Sequence, residues 1–147
     1  MPARKLPETL APDLLQRVRA RFERWPVTEG LGLEVEALEP GRARIRLPLS
    51  ARVQNGPRGN MNGGWLANVA DMACAFALCT AFDGLMPFAT SDLHYRYLEP
   101  AFGEVSADAQ VVRLSRSTAV IECRLSCAGA MVGFATANFA IKPGLKG

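Results

Sequence analysis

Asp71 is the one formally charged residue between Arg58 and Asp83, and it stands in a greasy run that opens with Asn62-Gly63-Gly64-Trp65. A bare carboxylate moved into a dry interior costs several kcal/mol unless it is paired or hydrogen-bonded. Local donors, or a helix face that meets solvent at a subunit edge, would account for it. So would a carboxylate kept as a base or nucleophile. The residues just before it tip the balance towards chemistry. Gly63 and Gly64 allow close backbone approach, and the free N–H groups of a helix's first turn attract developing negative charge. Asp71 follows Gly63 by eight residues, about two turns or roughly 12 Å along one helix. It cannot attack what its own helix N-terminus polarises unless another chain brings the two together. A site made of these residues is therefore expected across a dimer interface.

The elements that would carry this site can be read from periodicity. A long apolar helix is expected over about 63–82, after the turn-rich stretch 50–62. Leu14, Leu15, Val18 and Phe22 have helical spacing within an amphipathic helix over about 9–25, ended by Pro26. Leu33, Val35 and Ala37 alternate with Glu34 and Glu36, and Ala43, Ile45 and Leu47 alternate with Arg42, Arg44 and Arg46. Two such runs around Pro40-Gly41 read as a β-hairpin. A three-residue loop, Glu39-Pro40-Gly41, keeps the faces matched by pairing Glu36 with Arg44, Val35 with Ile45 and Glu34 with Arg46. Beyond the long helix, Leu93, Tyr95 and Tyr97 alternate with Asp92, His94 and Arg96, and further strands are expected near 104–114, 118–127 and 131–141. Many antiparallel strands and one very apolar helix predict an α+β domain, a sheet curled around that helix. No linker divides the 147 residues, so a single domain over 1–147 is expected.

Composition narrows the function classes. The net charge is +3, and the 17 basic residues are dispersed, so no nucleic-acid footprint is expected. The N-terminal stretch lacks the apolar core of a secretory signal, and Asn68 and Asp71 interrupt the greasy helix, so no membrane span is expected and the location reads as cytoplasmic. Cys74, Cys79, Cys123 and Cys127 form no C-x-x-C pair and His94 is the single histidine, which argues against a metal site. The four are read as reduced core thiols. No G-x-S-x-G elbow occurs, which argues against a serine-hydrolase mechanism.

The run Asn62 to Leu78, followed by Thr90-Ser91-Asp92-Leu93-His94-Tyr95-Arg96-Tyr97-Leu98-Glu99-Pro100, resembles the hot-dog-fold acyl-CoA thioesterases, in particular the phenylacetate-degradation-protein-like branch. That branch typically has a His-Gly-Gly helix start, an acidic residue nine positions after the His, and a later strand ending in Leu-x-Pro. Here Asn62 takes the place of the usual His, and the spacing from Asn55 to Gly63 is one residue longer than usual. The match covers about residues 28–142. The resemblance implies a hot-dog fold and hydrolysis of an acyl-CoA thioester by a dimer or a dimer of dimers. It implies no cofactor, since CoA is part of the substrate. Asp71 would be nucleophile or general base, and the Gly63 N–H of the facing subunit would polarise the carbonyl. Thr90 would orient water or the carboxylate, Asn55 would lie near the carbonyl or thiolate, and Asn62, in the catalytic position of the His, can donate a hydrogen bond but cannot carry a proton. Gly64, Arg113 and Arg116 would contact substrate, the arginines through CoA phosphates.

Blander readings stand beside these roles. Arg113 and Arg116 suit a solvated turn, His94 suits a surface or subunit interface, and Trp65, Phe76 and Leu78 suit core or acyl-pocket lining alike. Two other functions fit the same scaffold: a hydratase or dehydratase using His94, and an acyl-CoA-binding module without turnover.

Overall fold

The computed structural model describes residues 4–142 and 144. Helix α1 (Leu14–Phe22) precedes strands β1 (Glu34–Glu39) and β2 (Arg42–Leu47). Helix α2 (Gly63–Cys79) tightens into a 3-10 turn over Thr80–Phe82, and β3 (Phe88–Tyr97), β4 (Val105–Leu114), β5 (Thr118–Cys127) and β6 (Ala130–Ile141) follow. The strands form one antiparallel sheet in the order β1-β2-β4-β5-β6-β3. This is the expected α+β architecture, with α2 lying against all six strands.

Helix α2 is apolar enough in length and composition to cross a membrane, yet it is the core helix of the domain. Leu66, Val69, Ala70, Ala73, Phe76, Ala77 and Leu78 are all buried, and they meet inward side chains such as Ile45, Ala107, Ile121 and Ala135. Alanines at 70, 73 and 77 let the helix approach the sheet closely, and the branched and aromatic residues fill the spaces between. Helix α1 closes the other side. Trp25, just beyond its end, stacks on Phe76 at 5.9 Å between ring centroids, and Phe22 meets Phe76 edge-on at 5.0 Å. Arg17 binds the Asp83 carboxylate (2.8 Å) and Arg21 donates to the Gly84 carbonyl (2.7 Å), tying α1 to the chain just after α2.

Two expectations about the first elements need correction. α1 covers Leu14–Phe22 rather than 9–25. Pro12 and Pro26 disfavour helical backbone at Ala11 and Trp25, and the Arg24 and Trp25 N–H groups turn to the tighter i−3 carbonyls. The β1–β2 loop has two residues, not three, because Glu39 pairs with Arg42. Pro40 followed by Gly41 at φ +72° is the combination a type II turn requires. A β-bulge at Glu36 then restores the register, so Val35 still faces Ile45 and Glu34 still faces Arg46. Arg44 lies opposite Ala37 instead of Glu36, and Leu38 rather than Ala37 turns towards the core. The strain-free way to match both the turn and the apolar face was one extra residue within the strand, not in the loop.

Candidate active site

Asn62 is the N-cap of α2, with extended backbone (φ −60°, ψ 136°) and a side-chain oxygen that accepts the Gly64 N–H at 2.8 Å. Its carbonyl accepts the Trp65 and Leu66 N–H groups at 3.0 and 3.2 Å. Of the first four N–H groups of the helix, only that of Gly63 is left without an acceptor among the described residues. No acidic side chain occupies the first turn to neutralise it. Gly64, expected to meet substrate, thus has its N–H already committed to the cap.

Tyr97 fixes this end of the helix from the sheet. Its hydroxyl donates to the Gly63 carbonyl at 2.8 Å, and its ring edge lies 3.0 Å from where a Cβ at residue 63 would stand. A glycine is needed at position 63 for the strand and the helix N-terminus to meet this closely. Sequence reasoning placed Tyr97 on an alternating strand and missed this contact. Its shared parity with Leu93 and Tyr95 was the signal that it faces the helix.

Two turns along α2, Asp71 is half-buried, and its Oδ1 accepts a hydrogen bond from the Thr90 hydroxyl at 2.8 Å. Burial pushes the carboxyl pKa up, the Thr90 hydrogen bond pulls it down, and burial prevails. The local fold that brings Thr90 here is a second β-bulge. On β3, Leu93, Tyr95 and Tyr97 face α2, so strict alternation would send even-numbered Thr90 to the outer face. The register slips between Thr90 and Asp92, with Ser91 as the extra residue. That slip puts Phe88 against Phe139 and Thr90 against Asp71 on the helix side, while Asp92 bonds Asn138 on the other.

Asn55 sits beside the N-cap: its Oδ1 accepts a hydrogen bond from Asn62 Nδ2 at 2.9 Å. The α2 N-terminus therefore gathers Asn55, Asn62, Gly63 and Gly64, while Asp71 and Thr90 form a second group further along the helix. Arg113 and Arg116 join neither. Arg113 points outward next to a bulge in β4, and Arg116 lies in the β4–β5 turn. From Thr90 strand β4 is reached only across β6 and β5, about 14 Å at the usual strand spacing. His94 lies on the outer face of β3 opposite Thr136, away from Asp71. Cys74, Cys79 and Cys123 are buried free thiols, as expected, but Cys127 is only half-buried. Phe76 and Leu78 are core, and Trp65 is half-buried next to Gly64.

A half-buried carboxylate with a raised pKa and an unspent helix N–H are the parts that acyl transfer uses as base or nucleophile and as oxyanion donor. Comparison with known proteins agrees. Residues 58–133 match the family model of the thioesterase superfamily. A Halobacterium salinarum protein provisionally named an esterase is 38% identical over 96 residues. That alignment spans 63% of this chain and 64% of the relative, less than two thirds of its length. Among solved structures, a mutant of the phenylacetic acid degradation protein PaaI from Thermus thermophilus is 30% identical, with a TM-score of 0.71 over 79% of this chain and 98% of that one. Escherichia coli PaaI is 24% identical and superposes with a TM-score of 0.79 over 90% of this chain and 96% of its own, a likeness of fold. The chain belongs to the thioesterase superfamily, in its PaaI-like branch, and has the hot-dog fold.

Proposed function

We propose that this protein hydrolyses acyl-CoA thioesters as a dimer or dimer of dimers, each site combining Asp71 of one subunit with the α2 N-terminus of its partner. The observation that carries this reading is that Asp71, held by Thr90 of β3, lies on the same helix whose Gly63 N–H is left open. Within one chain the two are separated by two helical turns, about 12 Å. Brought together by a second copy, they frame a thioester. The Gly63 N–H would hold the carbonyl oxygen as it becomes negative. Asp71 would take a proton from water as its oxygen attacks the carbonyl carbon, or attack that carbon itself to form an anhydride that water then opens. Either way the C–S bond breaks, the carbonyl carbon gains an oxygen, and the sulfur leaves as CoA thiol or thiolate. Thr90 would orient the carboxylate. CoA enters only as part of the substrate.

His94 on the outer face removes the side chain a hydratase would need beside Asp71 in the same chain. The test is CoA release from short, medium, aromatic and long acyl-CoAs, with Asp71→Asn alongside and an acyl carrier protein thioester as a second carrier. Turnover by the parent, reduced at least ~100-fold in the variant, is the expected result. No turnover from either would leave a module that binds acyl-CoA without cleaving it. Single-turnover hydrolysis in ¹⁸O water separates the two routes: label in the Asp71 carboxylate excludes a purely general-base mechanism.

A further inference from the structure

Asn62 does more than cap α2. Its two side-chain ends are assigned by what they meet: the Gly64 N–H can only donate, so the end it touches at 2.8 Å is Oδ1. The other end is therefore Nδ2, which can only donate, and it reaches Asn55 at 2.9 Å. Asn55 must then present its own Oδ1, which leaves its Nδ2 turned away from Asn62 with no acceptor among the described residues. The backbone on both sides is pinned. Asn55 N–H donates to the Asn60 carbonyl (2.7 Å), Gly59 N–H to the Asn55 carbonyl (2.8 Å), Asn62 N–H to the Val53 carbonyl (2.6 Å), and Gln54 and Met61 form a β-bridge. A helix N–H, one carboxamide and then a second are thus linked in a fixed sense, beside the open Gly63 N–H.

We propose that Asn62 is a positioning residue: it sets the sense of the Asn55 carboxamide, so that Asn55 offers an N–H as the second donor, with Gly63, to the thioester oxygen. This rests on the hydrolase reading above. The relay needs a group at position 62 that accepts from Gly64 with one end and donates to Asn55 with the other, as an amide does. A hydroxyl is too short to span both, and a carboxylate has no proton to give.

Asn62→Asp separates the two tasks. The carboxylate still accepts the Gly64 N–H and suits a helix N-terminus, so the cap and the melting temperature are kept. It has no donor for Asn55, whose amide must rotate to donate Nδ2 to the new carboxylate and turn Oδ1 towards the substrate. The expected result is a fall in kcat of at least ~10-fold, since losing one oxyanion donor costs ~10²–10³ in other acyl-transfer enzymes. KM should change less than kcat. In an Asn55→Ala background the same substitution should leave kcat within ~2-fold, because the group being turned is gone. Unchanged kcat in Asn62→Asp, or an equal loss in both backgrounds, would overturn the proposal. A second readout needs no turnover. The Asn55 side-chain amide signals in ¹H–¹⁵N spectra should move downfield in Asn62→Asp, as a charge-assisted hydrogen bond replaces a free N–H. Unmoved signals refute the relay whether or not thioesters are cleaved. A clear shift in a protein that cleaves no thioester upholds the orientation and retires the hydrolase reading instead.

Discussion

A carboxyl group whose folded pKa is raised stabilises the fold while protonated, and that contribution is lost as pH rises through the folded value. Asp71 is such a group, held above its ordinary range by burial. Its ionised form costs stability for the sake of having a reactive carboxylate. Asp71→Asn keeps an oxygen to accept from Thr90 and removes the ionisation. It is therefore expected to raise the melting temperature at neutral pH by more than at pH ~3, where the carboxyl is protonated in folded and unfolded chains alike. Melts at the two pH values decide it, and an equal effect at both would remove the burial argument. Thr90→Val deletes the contact that pulls the pKa down, so the acid limb of the kcat/KM profile should move to higher pH. A limb that stayed in place would mean that Asp71 ionisation does not control it. Asp71 and Gly63 were legible in the sequence because each breaks a local rule, a charge in an apolar run and a double glycine at a helix start. The Tyr97 hydroxyl was not, since its acceptor is a carbonyl 34 residues away. The Asn55–Asn62 bond was hidden too: spacing shows the two residues but not the turn that folds one onto the other.

At the scale of elements, periodicity found both helices and all six strands, and failed where a strand carries an extra residue. Glu36, Ser91 and Val112 each interrupt an alternation whose residue types look continuous. A bulge is a register event between two strands, so a single strand's pattern does not reveal it. The one at Ser91 bears directly on the site. Deleting Ser91 should restore strict alternation and carry either Thr90 or the Leu93–Tyr97 set to the wrong face. Activity should fall at least as far as in Thr90→Val, with the antiparallel sheet kept by circular dichroism. Activity near the parent's would show that Thr90 need not face Asp71. The turn at Pro40-Gly41 gives a parallel case for stability. Gly41 has φ +72°, and a Cβ there would stand 2.5 Å from a Leu6 methyl, so Gly41→Ala should cost at least ~1 kcal/mol in denaturant unfolding.

For the molecule as a whole, the informative feature is what the sheet leaves open. β3 is ten residues long, lies at the edge, and is largely exposed. A long uncovered edge is a template for pairing. Next to it runs a partly exposed stripe of α2 through Gly64, Asn68, Asp71 and Ala75, the face a second copy would cover. The strand order could not be read along the chain, because β3 crosses to the far side of β6 and only nonlocal packing decides that. A site shared between copies makes a distinctive prediction. Asp71→Asn and Gly63→Val proteins, each inactive alone, should regain activity when their subunits are exchanged, because each mixed dimer contains one site with both parts intact. With random exchange about a quarter of the parent activity returns, half the dimers being mixed and one of two sites working in each. No recovery after verified exchange would overturn the pairing of Asp71 with a partner's Gly63 in one site.

The uncommitted N–H at the start of α2 also bears on how a reaction would end. A free acid released by hydrolysis carries two oxygens with full negative charge between them, a better guest for a positive helix terminus than the neutral carbonyl it came from. The product should therefore linger. Inhibition by the released carboxylate, competitive with substrate and relieved by high salt, is expected to limit how far the reaction runs in a closed vessel.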